Sequence, residues 1–136
     1  MQNKGGLVRL RLSKSERLSS VKHIDFLFKH CKRIKRFPLA LNYVFTEHAP
    51  EPIQAMFAAP KRQFKKAVDR NRVKRVMRDR YRLLKPDFIV TIGQKQMHCA
   101  LIYIGKTLPD YKAIDKSLQL ILKDLKSACA SEKPLA

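Results

Sequence analysis

Between residues 61 and 85 the chain reads KRQFKKAVDRNRVKRVMRDRYRLLK, twelve Lys or Arg against two Asp, a local net of +10. The whole chain of 136 residues carries 30 Lys and Arg against 11 Asp and Glu, a formal +19. More than half of the excess charge therefore sits in under a fifth of the length. The chemistry such a run offers is electrostatic: Arg presents a planar fork that matches phosphate oxygens and stacks on bases. An overall pI near 10.3 points to a polyanionic partner, either nucleic acid or an anionic membrane surface. It argues against an acidic-tailed chaperone, a calcium-site protein or a secreted disulfide scaffold.

Helical spacing sharpens the reading. At 100° per residue, Asn71, Lys74, Arg75, Arg78 and Arg82 fan across one side, and Val73, Met77, Tyr81 and Leu84 lie opposite. One face can enter a core while the other shows cations to solvent. Like charges at i, i+4 (Arg70, Lys74, Arg78, Arg82) repel, and a polyanion would relieve that repulsion. A solvated face would mix signs, and a membrane-surface helix would need its apolar side free. Arg80 projects toward the apolar side and must snorkel or find a partner.

Several elements must position this helix. Apolar residues make up 45% of the chain, enough for a core, and the length suggests one domain across 1–136. Its ordered part is expected over about 10–127, between a basic N-terminal arm and a frayed tail. Val21, Ile24, Leu27, Phe28 and Cys31 predict a helix over about 20–31, capped by Ser19 or Ser20, with Phe26 on its polar side. Strands are predicted over about 36–46 and 53–59, close enough to pair as an antiparallel hairpin. Residues 61–66 form a basic loop, and the second helix covers about 67–84. Residues 85–96 mix strand propensity with a helix-opening Pro86-Asp87 and lean to helix or irregular structure. A buried strand follows over 98–105, then a helix capped by Asp110. The order of helix, two strands, helix, strand and helix is an α+β arrangement, one small sheet covered by helices.

The helix lacks the partner helix of a helix-turn-helix, and the chain has neither C2H2 spacing nor an aromatic RNP-type motif, so shape and backbone recognition of folded RNA fits best. Here a resemblance enters. Ala67-Val68-Asp69-Arg70-Asn71-Arg72-Val73-Lys74-Arg75, followed by Arg78-Asp79-Arg80-Tyr81-Arg82, closely resembles the signature of the bacterial ribonuclease P protein subunit. Pro60-Lys61-Arg62 resembles that family's basic strand end, and Leu12-Ser13-Lys14-Ser15-Glu16-Arg17-Leu18 its entry into the first helix. The likeness spans roughly 10–127.

The resemblance implies a small α/β sandwich of the ribosomal protein S5 domain 2-like kind, a four-stranded sheet with a left-handed crossover helix. It implies a protein that assists a catalytic RNA in removing the 5′ leader of precursor tRNA, with Mg²⁺ bound through the RNA and no cofactor on protein side chains. Its expected partners are that RNA subunit and precursor tRNA, with no membrane and no protein partner required. Carried over by position, Arg70, Asn71, Arg72, Lys74, Arg75, Arg78 and Arg82 would face the RNA, extended by Lys61, Arg62, Lys65 and Lys66. Ile24 and Phe28 would line a cleft for the single-stranded leader, with Asn42 or Tyr43. The chain departs from the family pattern in three places. Ile24 stands where an aromatic is common, Gln63-Phe64-Lys65-Lys66 is one residue longer than usual, and residues 88–95 look inserted.

Other constellations carry less. His23, His30, His48 and His98 are scattered, so no metal site is expected, and Gly93 and Gly105 form no phosphate-cradling loop. The acids are singletons, unlike the clustered carboxylates of a two-metal nuclease, and Asp69 and Asp79 read as local charge partners. No catalytic residue is expected from the protein. Cys31, Cys99 and Cys129 form no CxxC pair and suit free thiols in a reducing cytoplasm. The longest apolar run, 99–104, is too short for a membrane helix, and residues 1–12 lack a signal-peptide pattern. Two other function classes stay in view: an rRNA-binding protein of ribosomal type, and a protein-only nuclease.

Overall fold

The structure, a computed structural model, describes residues 12–47 and 49–130. The expected N-terminal arm, His48 and the final six residues lie outside them. A short 3₁₀ turn at Lys14–Glu16 leads into α1, Val21–His30. Strands β1 (Lys32–Arg36), β2 (Leu39–Thr46) and β3 (Ile53–Ala58) follow, then α2 (Ala67–Ile92), β4 (Gln96–Tyr103) and α3 (Tyr111–Cys129). The α+β class and the four-stranded sheet are as expected, but the strands are arranged differently from the sequence reading.

The sheet order is β1-β2-β4-β3. β1 and β2 form the antiparallel hairpin, β2 pairs antiparallel with β4, and β3 pairs parallel with β4. The predicted hairpin of 36–46 with 53–59 does not form, because β4 lies between those strands. β4 is the better centre: Met97, Cys99, Leu101 and Tyr103 fill one face, and Ala100 packs on the other. β1, sequence KRIKR, has a single apolar residue, Ile34, and so gave no strand signal. A charged strand belongs at a sheet edge, where it discourages pairing with other chains.

α2 and α3 cover one face of the sheet. Leu39, Leu41, Tyr43 and Phe45 of β2 meet Val73, Met77, Tyr81, Phe88 and Ile92 of α2, and Ile114, Leu118, Ile121 and Leu125 of α3. The apolar stripe of α2 recurs past the predicted end at 84, so the helix continues through Pro86 to Ile92. The helical alternative for 85–92 is the one realised, and Phe88 and Ile92 are its anchors. Gly93, at φ 64°, ends it in a left-handed conformation that only glycine adopts without strain. α3 starts as expected after Asp110, whose backbone carbonyl accepts from Ile114 N at 3.0 Å; its carboxylate makes no cap bond.

α1 covers the opposite face through Leu18, Leu27, Val44 and Ala100. Ser20 Oγ accepts from His23 N at 3.4 Å at its start, as its predicted cap. Phe26, expected on the polar side, packs with Ile24 against this second cluster, and Phe28 is exposed.

The α2 stripe includes one charge. Lys85 is 2% exposed, and its Nζ sits 2.8 Å from Glu16 Oε2 in the N-terminal turn. Glu16 also accepts from Ser13 N at 2.9 Å and Ser13 Oγ at 3.0 Å. Burial raises the Glu16 pKa, but the bonds from Lys85 and Ser13 outweigh it and hold the carboxyl below its usual range. The pair ties the entry segment to α2. Removing one partner of a buried pair typically costs about 3–5 kcal/mol. Lys85→Ala should lower stability by that order in chemical denaturation, and Lys85→Met combined with Glu16→Gln should restore much of it. Because Glu16 titrates lower when folded, its contribution holds above an unfolded pKa near 4.5 and is lost as pH falls through the folded value. Acid titration of stability should therefore be flatter in the double variant.

Candidate nucleic-acid interface

The basic loop before α2 is built around one buried residue. Phe64 is buried, its ring 5.8 Å from that of Tyr103, and Gln63 Nε2 donates to Ile104 O at 3.3 Å. These anchors push Lys61, Arg62, Lys65 and Lys66 outward, where all four are exposed. Lys106, from the turn after β4, joins Arg62 and Gln63 around a cavity of about 540 Å³. The sequence reading missed Lys106, which is a lone cation in a turn with no local pattern.

Along α2, Asn71, Arg72, Arg75 and Arg78 are exposed, and Lys74 is half-buried at the edge of the stripe. The Arg78 guanidinium lies 5.8 Å from the Phe57 ring centroid, which steadies it without neutralising it. Among the described residues, Arg72, Lys74, Arg75 and Arg78 have no acidic partner. The cations of this stretch are therefore neither scattered nor cancelled; they form one continuous ridge.

Two arginines at the ridge margin are paired with acids. Arg80 bonds Asp115 of α3 twice, at 2.8 and 2.7 Å, which answers its awkward position on the helix and raises its pKa further. Arg82 Nε meets Asp79 Oδ1 at 2.9 Å, the local pairing expected of Asp79. Arg70 differs from its neighbours: its Nη1 donates to Phe64 O at 2.8 Å and Lys65 O at 2.9 Å. It holds the loop against the helix start, so part of its donor capacity is already used within the protein.

The predicted cleft residues divide between the two faces of the sheet. Ile24, Phe28 and Asn42 lie on the α1 side. Phe28 is 45% exposed, and Asn42 is buried with no partner for Oδ1 among the described residues. Tyr43 corrects the expectation: it is buried with Phe45 under the helices of the other face, their rings 5.5 Å apart. Successive residues of a strand point to opposite faces, so Asn42 and Tyr43 could never share one cleft. Arg33, opposite Asn42, and Lys35, opposite Ala40, add exposed cations on the α1 side of β1. The run KRIKR, with Ile34 its single apolar residue, carries no strand signal that would point to either.

On the far side of α1, His23, Phe26, His30 and His98 line a second hollow of about 640 Å³ with Lys22 and Lys29. The His23 and His98 rings are 5.0 Å apart; burial, and then the neighbouring His23, lowers the His98 pKa. Among the described residues no three His, Cys, Asp or Glu side chains gather as a metal set.

The family model for ribonuclease P matches residues 12–126. The chain belongs to the ribonuclease P protein family. It is 32% identical over 111 residues to the ribonuclease P protein component of Porphyromonas gingivalis, covering 79% of this chain and 81% of the relative. The corresponding component of Chlorobaculum tepidum is also 32% identical, over 116 residues, covering 76% and 75%. Among solved structures, the fold is similar to the RNase P protein of Staphylococcus aureus at TM-score 0.66 and 16% identity, covering 82% of this chain and 95% of that one. The Thermotoga maritima RNase P protein gives 0.64 at 19% identity, covering 80% and 96%. Family membership makes the chain a component of an endoribonuclease of tRNA processing, and it supports an association with RNA.

The ridge and its scaffold should separate by mutation. Replacing Arg72 and Arg75 with Ala should leave the circular dichroism spectrum and Tm near wild type while weakening RNA binding in a gel-shift or anisotropy titration. Arg70→Ala should also lower Tm, because it strips two backbone carbonyls of their donor. Loss of folding in the Arg72/Arg75 variant would contradict the assignment of helix faces.

Proposed function

We propose that this ribonuclease P family member binds the catalytic RNA subunit through the ridge of α2 and the preceding loop, and assists it in removing the 5′ leader of precursor tRNA. The observation that carries the reading is the unpaired run Arg72, Lys74, Arg75 and Arg78 on a helix whose other side is buried. Lys61, Arg62, Lys65 and Lys66 extend it, and Asn71 adds a polar contact within it. A fixed cationic helix neutralises phosphates without having to order itself at the moment of binding.

The α1 face supplies the second contact. Phe28, one turn beyond Ile24 on α1 and exposed, offers a ring for an unpaired leader base, and the exposed Arg33 and Lys35 on the same side of the sheet would meet the leader phosphates. Chemistry is left to the RNA with its Mg²⁺. Four of the acids, Glu16, Asp79, Asp115 and Asp124, are each engaged with a Lys or Arg of the protein. No helix of the described residues is long and apolar enough to cross a membrane, and we place the protein's work in the cytoplasm.

Reconstitution tests this directly. At low Mg²⁺, a cognate catalytic RNA should cleave precursor tRNA at the mature 5′ end faster with the protein than without it. Cleavage by the protein alone would overturn the proposal in favour of a protein-only nuclease. No effect on cleavage, with tight binding to rRNA, would favour a ribosomal role. Stacking of one base on an aromatic contributes about 1–3 kcal/mol. Phe28→Ala should therefore weaken binding of leader-bearing precursor tRNA by that order and leave mature tRNA binding unchanged.

A further inference from the structure

We propose that the hollow between the middle of α2 and the start of α3 seats one unstacked nucleotide of the RNA subunit, with Tyr111 as its stacking surface. The inference rests on the RNA-binding reading above and specifies what one part of that surface recognises. Tyr111, the first residue of α3, is 52% exposed. The Arg80 guanidinium lies 5.2 Å from its ring centroid and is itself fixed by its two bonds to Asp115. The ring is thus held in place from one side by a pinned cation rather than by the core.

The same ring lines a hollow of about 290 Å³ with Arg72, Arg75, Val76 and Asp79. Those four α2 residues share a face of the helix at i, i+3, i+4 and i+7. Asp79 Oδ1 is taken by Arg82, and Oδ2 has no partner among the described residues. Phosphate binding alone accounts for the two arginines, but not for the other components. It does not use an aromatic wall, and a carboxylate beside the arginines opposes it.

A nucleotide uses all three. Its base stacks on the ring face not covered by Arg80, and a base N–H or amino group donates to the free carboxylate oxygen. The flanking phosphates meet Arg72 and Arg75. An acidic peptide would use the arginines but would be repelled by Asp79. An unstacked nucleotide is therefore the ligand whose chemistry matches the whole lining.

The chain contains no tryptophan, so Tyr111→Trp places its sole indole in the hollow. Titrating the full-length variant with the catalytic RNA should quench indole emission in step with binding, followed independently by anisotropy of labelled RNA. Heparin, a polyanion without bases, should bind the ridge and leave the emission unchanged. RNA that binds without quenching, or equal quenching by heparin, would overturn the seat. Failure of the wild-type chain to bind RNA at all would overturn the underlying reading instead. In parallel, Tyr111→Leu should raise the RNA Kd about 5- to 150-fold with an unchanged salt slope, and Tyr111→Phe should bind as wild type. Wild-type affinity in the Leu variant, or equal loss in both, would count against stacking.

Discussion

The fold depends on one constraint: α2 must bury an apolar stripe along its whole length while carrying much of the protein's positive charge. Val73, Met77, Tyr81, Phe88 and Ile92 lie against the sheet and α3, and this fixes the rotation of the helix about its axis. With that rotation fixed, Asn71, Arg72, Arg75 and Arg78 have nowhere to point but outward. Each buried side chain of this size contributes about 1.5–3 kcal/mol, whereas a surface i, i+4 repulsion costs only a few tenths. Burial therefore outweighs the mutual repulsion of the cations. The free protein holds a charged surface that would be unfavourable in an isolated helix.

The acids are distributed in keeping with that arrangement. Glu16 neutralises Lys85, the one cation forced into the buried stripe. Asp115 holds Arg80 at the α3 boundary, and Asp124 pairs with Arg36 of β1 at 2.7 Å. Each of these pairs joins elements distant in sequence and lies off the central ridge. Within α2 itself, Asp69 lies in the first turn, and Asp79, paired with Arg82, lines the hollow beside Tyr111. Cations whose charge would disturb the fold are paired, and those that can serve a polyanion are left unpaired.

What could be read in advance followed from local periodicity. The faces of α2 and of the helix after Asp110 repeat apolar residues at a clear interval, and β4 stands out as an unbroken apolar run. Non-local features could not be read in this way. β1 has one apolar residue, and insertion of β4 between β2 and β3 depends on pairing across the whole chain. Phe26 and Phe28 lie two positions apart on a ten-residue helix, and only the seating of Leu27 on the sheet decides which is covered. Among the site residues, the exposed cations followed from helix geometry. Arg70's bonds to the loop, the Arg80–Asp115 pair and the contribution of Lys106 arise from contacts the sequence does not place side by side. The sequence of β2, apolar on both faces, does not separate Asn42 from Tyr43; once β2 is seated, strand alternation places the two on opposite sides.

The most direct measurement of the central claim is the salt dependence of affinity for the catalytic RNA. If the ridge and loop neutralise six to ten phosphates, the association constant should fall by about 10³–10⁵ between 50 and 200 mM salt, and the log–log slope should shrink when Arg72 and Arg75 are replaced. A flat response, or a slope indifferent to those two residues, would contradict a cationic ridge as the basis of recognition.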